Sequence, residues 1–228
     1  SVQIGAHYLE RTHGGSGRLL GGVPGVKPAD IVILGSGIAG ANAAKMAFGI
    51  GANVTVIGRN LQQLRYIDDV FHGNVQTLMS NPLNIANAVK SCDLLIGTVA
   101  ITGYKAPKLV TREMVRTMKP GSVIVDISID QGGSIETSRP TSHKDPVYVE
   151  EGVIHYCVTN MPGAVPYTST LALTNATLPY ALKIAGGLEK ALKDEALTKG
   201  VNTYKGKLTN KGVAEAFGLE YVDLSTLL

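Results

Sequence analysis

Long hydrophobic runs, cysteine pairs and a strong excess of charge are all missing from this 228-residue chain. No stretch approaches the roughly 18 apolar residues that a membrane span needs, and the first residues have neither the basic nor the apolar region of a signal peptide. The net charge is only +3, with lysine and arginine scattered, so the chain has no basic patch typical of nucleic-acid binding. We therefore expect neither a membrane nor a nucleic acid as a partner.

The chain has only two cysteines, Cys92 and Cys157, and each lies within an apolar run. Neither belongs to a C-x-x-C pair, and none of the five histidines has a partner at metal-ligand spacing, so we expect no metal site. The cysteine pattern favours core thiols in a reducing compartment, and we predict a cytoplasmic protein. Gly-x-Ser-x-Gly does not occur, which leaves a hydrolase triad without support.

A glycine pattern after a short apolar run is the most informative feature that is present. Residues 31–34 are typical of a strand buried on both faces. A G-x-G-x-x-G follows at once, formed by Gly35, Gly37 and Gly40. Residues 39–48 are predicted to form a helix, and residues 54–57 the next parallel strand. In this context the glycines permit a tight turn, close approach to a pyrophosphate and helix–strand packing, so the segment predicts a dinucleotide site.

Short apolar strands alternate with helices along most of the chain. Helices are predicted at 61–71, at 111–118 and from Asn81-Pro82, and further strands at 75–79, 93–97, 122–126 and 153–158. This alternation predicts an α/β protein with a doubly wound parallel sheet of the Rossmann type and flanking helices. From residue 167 the pattern becomes helical, with a kink expected near Pro179 and no strand.

We predict three parts: a connecting helix over residues 1–13, a dinucleotide-binding domain over 14–164 and a helical C-terminal segment over 165–228. The C-terminal segment is expected to pack on a second domain that is mostly absent from this chain. Because the chain begins without methionine and inside the first predicted helix, we expect it to be cut from a longer one.

The end of the second predicted strand departs from the usual dinucleotide pattern. An Asp or Glu about 20 residues after the glycines normally binds the ribose hydroxyls, but this position is Gly58, followed by Arg59. Loss of the carboxylate removes the repulsion that excludes a 2′-phosphate, and an arginine attracts one. NAD is the first choice and NADP the alternative; weaker binding of both, through a lost charged hydrogen bond worth ~1.5–3 kcal/mol, is a third outcome.

Four longer segments point to a family. They are L-L-G-G-V-P-G-V over 19–26, K-A-P-K-L-V over 105–110, K-P-G-S-V-I-V-D-I-S-I-D-Q-G-G over 119–133, and N-M-P-G-A-V-P-Y-T-S-T-L-A-L-T-N-A-T-L-P-Y over 160–180. In these segments the chain resembles the alanine dehydrogenase family, from its first residue to about residue 216. That family shares its nucleotide domain with the NAD(H)-binding part of proton-translocating transhydrogenase, which the last two segments match less well.

The resemblance implies a homo-oligomeric, NAD-dependent enzyme that converts L-alanine reversibly to pyruvate and ammonia. It also implies that this chain lacks the family's N-terminal half, which holds the substrate carboxylate. Two alternatives stay open. The chain is either a non-catalytic or subunit-type nucleotide-binding module, or the NAD(H)-binding component of a transhydrogenase, which needs membrane components that this chain does not contain.

The candidate cofactor-binding positions lie after the predicted strands, because ligands of doubly wound sheets bind beyond the strands' carboxyl ends. The resemblance implies cofactor contacts at the matching positions, where ordinary loop chemistry explains Ser80 and Thr98 nearly as well. Loop chemistry explains Asn160-Met161 less well, because an amide followed by an apolar side chain is a combination that suits contact with a nicotinamide ring. The full predicted set is Gly35, Ser36, Gly37, Ile38, Gly40, Gly58, Arg59, Ser80, Thr98, Val99, Ile127, Asp130, Asn160 and Met161.

Asp130 is the candidate catalytic residue. It follows a buried strand and precedes Gln131-Gly132-Gly133, where the glycine pair lets the chain pass close to a ligand. The resemblance implies that this carboxylate lies near the nicotinamide and the substrate amine, and that it orients and helps to deprotonate the water or amine. For the nearby Asp126 we predict the structural role of a turn or helix cap.

Overall fold

The computed structural model describes residues 1–101 and 104–228. These residues form two compact units. The first contains residues 1–100 and 105–159, and the second contains residues 160–228 together with Ile101 and Tyr104. Each unit is described by itself.

The first unit is built on strands that alternate with helices. Its strands are β1 (Asp30–Leu34), β2 (Asn53–Gly58), β3 (Gln76–Met79), β4 (Leu94–Gly97), β5 (Val123–Asp126), β6 (Val147–Glu150) and β7 (Val153–Tyr156). Its helices are α1 (Val2–Leu9), α2 (Ile38–Gly49), α3 (Leu61–Val70), α4 (Pro82–Ser91) and α5 (Arg112–Arg116). Two 3-10 turns accompany them, Arg11–His13 and Ile127–Gln131.

The strands form one sheet in the order β3-β2-β1-β4-β5-β7-β6. All neighbouring pairs are parallel except β6 and β7, which are antiparallel. The chain leaves β3 at one edge and returns beside β1 as β4, so the winding direction reverses between β1 and β4. This reversal leaves a crevice at the carboxyl ends of β1 and β4, which is where doubly wound sheets bind ligands. The predicted α/β doubly wound fold is confirmed.

Apolar side chains explain why these segments form a sheet covered on both faces. The inner strands β4 and β5 are buried throughout, as expected of parallel strands between two helical layers. Helix α1 lies directly on the sheet, because a Cβ at Gly5 would stand 2.4 Å from the Leu94 side chain. The helices that follow β2 and β3 begin at asparagine caps, Asn60 and Asn81, whose side chains accept backbone N–H groups.

Strand β6 was missed by the sequence analysis, and the sheet is not wholly parallel. β6 and β7 form a hairpin joined by Glu151 and Gly152, which both have positive φ (53° and 76°). This two-residue turn needs φ above zero at both positions and is usually signalled by Asn-Gly or Asp-Gly. Glu-Gly carries no such signal, so the hairpin was not apparent.

The second unit is helical with one small hairpin. It contains α6 (Pro166–Ala185), α7 (Leu188–Ala191), α8 (Glu195–Lys199), β8 (Thr203–Tyr204), β9 (Lys207–Leu208), α9 (Lys211–Phe217) and the 3-10 turns Met161–Ala164 and Leu224–Thr226. The prediction that this tail has no strand is wrong. Lys205 (φ 47°) and Gly206 (φ 76°) turn β8 into β9 in the same way as the Glu-Gly turn of the first unit.

Helix α6 is the longest element of the second unit, with 20 residues. Proline stands at its first turn, where the missing N–H costs no hydrogen bond, and the helix continues through Pro179. None of its residues is buried. In the part of the chain that the structure describes, no helix combines the length and hydropathy that crossing a bilayer requires.

Candidate functional site

The glycine-rich turn after β1 forms the floor of the crevice. Gly35 has φ +112°, which side chains rarely adopt, and a Cβ there would stand 2.5 Å from Thr98 Oγ1. A Cβ at Gly40 would stand 1.9 Å from the carbonyl oxygen of Gly35. Both positions therefore require glycine, because only glycine lets the first turn of α2 lie against the end of β1.

Thr98 holds this turn in place from the neighbouring strand. Its backbone N–H and its hydroxyl both donate to the carbonyl oxygen of Leu34, each at 2.8 Å, and the hydroxyl lies 3.3 Å from the carbonyl oxygen of Gly35. The hydroxyl is buried. The side chain thus has a positioning role in the turn, which is the ordinary loop chemistry considered in the sequence analysis.

The start of α2 is open and fits a diphosphate. Among residues 1–101 and 104–228, a Cβ placed at Gly37 would meet no atom within 4 Å, and the side chain of Ile38 is 87% exposed. Ala41 donates the first hydrogen bond of the helix, to the Gly37 carbonyl, so the N–H groups ahead of it lack helical acceptors. Free N–H groups and the positive end of the helix dipole favour an anion. These residues therefore fit the pyrophosphate of a dinucleotide.

The end of β2 has no room for a side chain at residue 58. A Cβ at Gly58 would stand 2.4 Å from Ser36 Oγ, 2.7 Å from Ser36 Cβ and 3.0 Å from Leu64 Cδ2. Ser36 is buried, and its hydroxyl donates to Gln63 Oε1 at 2.9 Å. Gln63 was missed by the sequence analysis, since it belongs to no motif and is brought to the site only by the first turn of α3.

The adjoining positions at this side of the crevice are Arg59 and Ser80. Arg59 directly follows β2 and is exposed. The backbone N–H of Ser80 donates to the carbonyl oxygen of Gly58 at 2.8 Å, which extends the pairing of β2 and β3 by one residue. Both residues thus lie beside Gly58, at the edge of the crevice where β2 and β3 end.

Asp126 is a structural carboxylate, as predicted. It ends β5, is fully buried and caps the following 3-10 turn through the Ser128 N–H at 3.1 Å. It also accepts the N–H groups of Ser134 at 2.9 Å and Ile135 at 3.3 Å, and the Ser138 hydroxyl at 2.7 Å. These donors keep the buried carboxylate satisfied and fix the loop after β5.

Asp130 lies on that 3-10 turn, Ile127–Gln131, and is exposed. Because β5 pairs with β4, and β4 with β1, this turn follows the same end of the sheet as the glycine-rich turn. Ile127 and Val99, which follow β5 and β4, are half-buried there. Twelve of the fourteen predicted site residues therefore lie in the first unit, at the end of the sheet where its parallel strands have their carboxyl ends. The other two are Asn160 and Met161.

Ser128 is a further residue of this turn that sequence analysis missed. Its side chain is buried, and within the described residues its hydroxyl oxygen has no hydrogen-bond partner. An unpaired buried hydroxyl is unusual and unfavourable. No sequence signal identified it, because its lack of a partner follows from the fold of the loop.

Asn160 and Met161 belong to the second unit. Asn160 has a left-handed backbone (φ 51°, ψ 50°) and caps the 3-10 turn Met161–Ala164, and its carbonyl oxygen accepts the Gly163 N–H at 2.8 Å. Asn160 is exposed and Met161 half-buried. The predicted contact of these two residues with a nicotinamide stays a prediction.

The buried thiols and histidine of the first unit are structural. Cys92 and Cys157 are both free and buried, and burial raises the pKa of the Cys92 thiol to about 12. His155 is fully buried between Thr137, at 2.8 Å from Nε2, and the Val153 carbonyl, at 2.9 Å from Nδ1. Burial lowers the pKa of His155, because the charged ring would lose its hydration.

One group of potential metal ligands comes together within the described residues, formed by His7, Glu10 and His13. Their ligand atoms lie within 4.8 Å of one another, and all three side chains are exposed. The sequence analysis looked only for partners of the histidines at metal-ligand spacing and missed this grouping. The predicted helix over residues 1–13 ends at Leu9, and the extended backbone of Glu10 (ψ 142°) starts a separate 3-10 turn.

Comparison with known proteins gives a consistent result. The family model for the alanine dehydrogenase/PNT C-terminal domain matches residues 1–211. An alanine dehydrogenase of Staphylococcus haemolyticus (strain JCSC1435) is 58% identical over 231 residues, which cover 100% of this chain and 62% of that protein. A solved L-alanine dehydrogenase has a TM-score of 0.87 and 51% identity, covering 95% of this chain and 60% of the other. A transhydrogenase from Sinorhizobium meliloti is more distant, with a TM-score of 0.65 and 27% identity, covering 80% and 53%.

Proposed function

Because this chain belongs to the alanine dehydrogenase/PNT C-terminal domain family, we propose that it is the nucleotide-binding part of an NAD-dependent L-alanine dehydrogenase. The family and the Rossmann-type sheet imply a nicotinamide dinucleotide. The chain spans 62% of the length of its Staphylococcus relative, so the reaction of the whole protein is part of the proposal. That reaction is the reversible oxidative deamination of L-alanine to pyruvate and ammonia, by a homo-oligomer.

The observation that carries the proposal is the start of α2, which is open to a ligand and lies next to Gly35 and Gly40, the two positions that require glycine. Gly40 lets the helix approach β1, while a Cβ placed at Gly37 would meet no atom of the described residues within 4 Å. The N–H groups ahead of Ala41 would hold the diphosphate, and the dipole of α2 would add to the attraction. NAD is the cofactor of the proposal, and NADP is the alternative that Gly58 leaves open.

The proposed chemistry assigns a separate task to each candidate residue. A nicotinamide dinucleotide held at the glycine-rich turn would supply the acceptor for the hydride from the α-carbon of alanine. Asp130, exposed on the turn after β5, would orient the water or the amine and take up a proton from it. Asn160 and Met161 would contact the nicotinamide through an amide and an apolar side chain. Asp126 takes no part, because its oxygens are already used by backbone and serine donors.

The test pairs a binding assay with a turnover assay. NADH fluorescence titration measures dinucleotide binding, and alanine-dependent formation of NADH measures turnover in the complete enzyme. We expect Asp130→Asn to lose most of the turnover while its NADH dissociation constant stays within about threefold of wild type. Glu136→Gln, a few residues further along the chain, is the matched control, because it also replaces a carboxylate by an amide. It should keep turnover. Unchanged turnover in Asp130→Asn would remove this residue from the mechanism.

A second candidate is a nucleotide-binding module without turnover of its own. Its basis is that the site described above is a dinucleotide site, in a chain that spans 62% of the length of its Staphylococcus relative. Dinucleotide binding by the isolated chain without alanine oxidation supports the module, and turnover by the isolated chain supports the enzyme. The transhydrogenase component is a weaker candidate, because the Sinorhizobium structure is less similar than the L-alanine dehydrogenase structure in both identity and TM-score.

A further inference from the structure

We infer that the adenosine end of the crevice is built to accept a 2′-phosphate, so that the chain binds NADPH at least as tightly as NADH. The subsite consists of Ser36, Gly58, Arg59 and Gln63. This inference rests on the proposed function, because it presupposes a dinucleotide on the glycine-rich turn.

The first argument is steric. In a dinucleotide domain the residue at the end of the second strand normally supplies the carboxylate for the ribose hydroxyls. Here the side chain of Ser36 occupies that space, since a Cβ at residue 58 would stand 2.4 Å from Ser36 Oγ and 2.7 Å from Ser36 Cβ. Rotation of the serine would relieve only the first contact. Ser36 and Gly58 therefore form a matched pair, and a carboxylate at residue 58 is incompatible with the serine.

The second argument is the chemistry of the groups that remain. Ser36 donates its hydroxyl hydrogen to Gln63 Oε1 at 2.9 Å, which leaves the amide NH₂ of Gln63 as the free polar end of that side chain. Arg59 follows directly and is exposed. Arginine and amide NH₂ groups only donate hydrogen bonds, and a phosphate only accepts them. The subsite thus offers donors to a phosphate and no carboxylate to the 2′-hydroxyl.

The third argument is charge. Between Asp30 and Asp68 the sequence contains no acidic residue, whereas it contains Lys45, Arg59 and Arg65. This segment includes the glycine-rich turn, α2, β2 and most of α3. A 2′-phosphate entering beside Gly58 would therefore meet a segment with a net positive charge and no carboxylate. The usual basis for excluding NADP, a negative charge at the end of the second strand, is missing.

The experiment measures dissociation constants for NADH and NADPH by fluorescence titration, without any turnover. Wild-type chain should bind NADPH at least as tightly as NADH. Arg59→Gln should weaken NADPH about tenfold or more, as expected for one charge-assisted hydrogen bond, and change NADH by less than threefold. The matched control is Lys90→Gln, which removes the same charge from the last turn of α4, shortly before β4 begins and away from the carboxyl ends of the strands. It should leave the ratio of the two constants unchanged.

A double-mutant cycle tests the matched pair. Gly58→Asp alone should weaken both dinucleotides, because the new side chain collides with Ser36. Ser36→Gly removes both serine contacts, so Ser36→Gly with Gly58→Asp should restore NADH binding and weaken NADPH at least tenfold relative to wild type. Additive effects of the two substitutions would overturn the steric argument.

Isothermal titration with adenosine 2′,5′-bisphosphate and 5′-AMP probes the subsite without the nicotinamide half. The bisphosphate should bind at least tenfold more tightly than 5′-AMP, and Arg59→Gln should remove most of that difference. Wild-type binding of NADH with tenfold weaker NADPH would overturn the inference and leave the proposed function standing. Binding of neither dinucleotide would overturn both.

Discussion

Three glycine-to-alanine substitutions at the ends of one helix separate folding from ligand binding in this chain. Gly37 and Gly40 lie at the start of α2, and Gly49 is its last residue. Each substitution adds the same methyl group. The surroundings differ, because the methyl group would meet a backbone carbonyl at Gly40 and, at Gly37 or Gly49, no described atom within 4 Å.

Gly40→Ala should destabilise the fold. Its methyl carbon would stand 1.9 Å from the carbonyl oxygen of Gly35 and 3.1 Å from Thr98 Oγ1. Since the carbonyl belongs to the backbone, α2 must move away from β1 by about 1 Å, and overpacking of this kind costs about 1–3 kcal/mol of the free energy of unfolding. Gly49→Ala should stabilise by about 0.5 kcal/mol, because alanine is the better helix former.

Gly37→Ala should fold normally and bind poorly. Its backbone has φ −74°, which alanine adopts easily. The weaker preference of alanine for the N-cap position lowers the free energy of unfolding by no more than about 1 kcal/mol. The methyl group would enter the space that we assign to the diphosphate. The NADH dissociation constant should therefore rise about tenfold or more, which corresponds to a loss of about 1.4 kcal/mol of binding free energy.

Urea unfolding of the ligand-free variants gives the stabilities, and NADH fluorescence titration of the folded variants gives the affinities. The decisive comparison is Gly37→Ala against Gly49→Ala, since both should be folded at 25 °C and only the first should lose affinity. Wild-type affinity in a folded Gly37→Ala variant would refute the reasoning, because the diphosphate would then not approach the backbone at this turn.

Two further predictions concern the core of the first unit. Acidification below pH 6.5 should lower the free energy of unfolding by up to about 1.4 kcal/mol per pH unit. The native-state pKa of His155 is lowered by burial, so the unfolded chain binds the proton first. In urea titrations from pH 7.5 to pH 5, the free energy of unfolding should fall less steeply with falling pH in His155→Gln than in the wild type. An identical slope in the two proteins would contradict the assignment. Ser128→Ala should raise the free energy of unfolding by about 1 kcal/mol, because it removes a buried hydroxyl that has no hydrogen-bond partner among the described residues. A loss of stability, measured by the same titration, would show that the hydroxyl is satisfied.

Periodicity and turn chemistry explain which parts of the fold were predictable. The buried parallel strands β1, β4 and β5 are short apolar runs, and the glycine pattern after β1 has one structural meaning in that context. Both hairpins were missed for the same reason. Their turns are Glu151-Gly152 and Lys205-Gly206, and neither Glu nor Lys is a residue that usually adopts the left-handed conformation.

The roles of polar residues at the strand ends were predictable only where the sequence identifies their partners. Asp126 was assigned correctly as a cap, since an aspartate at the end of a strand usually binds the following backbone. For Thr98 the sequence left a cofactor contact and ordinary loop chemistry nearly equal, and its contact with a cofactor stays a prediction. What the sequence did not indicate is that its hydroxyl donates to the carbonyl oxygen of Leu34, 64 positions earlier in the chain. Such a partner depends on the order of strands in the sheet, which no local pattern contains.

The meaning of Gly58 changed most between sequence and structure. In the sequence it is a missing carboxylate, which is compatible with NAD, with NADP and with weak binding of both. In the structure, Gly58 leaves the space that the side chain of Ser36 fills, and Ser36 is held by Gln63, which is 27 positions away. A missing side chain alone would leave the subsite empty and the two dinucleotides poorly distinguished. We expect a site filled by a hydroxyl and flanked by Arg59 to discriminate between the two dinucleotides, so that replacing Gly58 alone does not turn it into an ordinary NAD site.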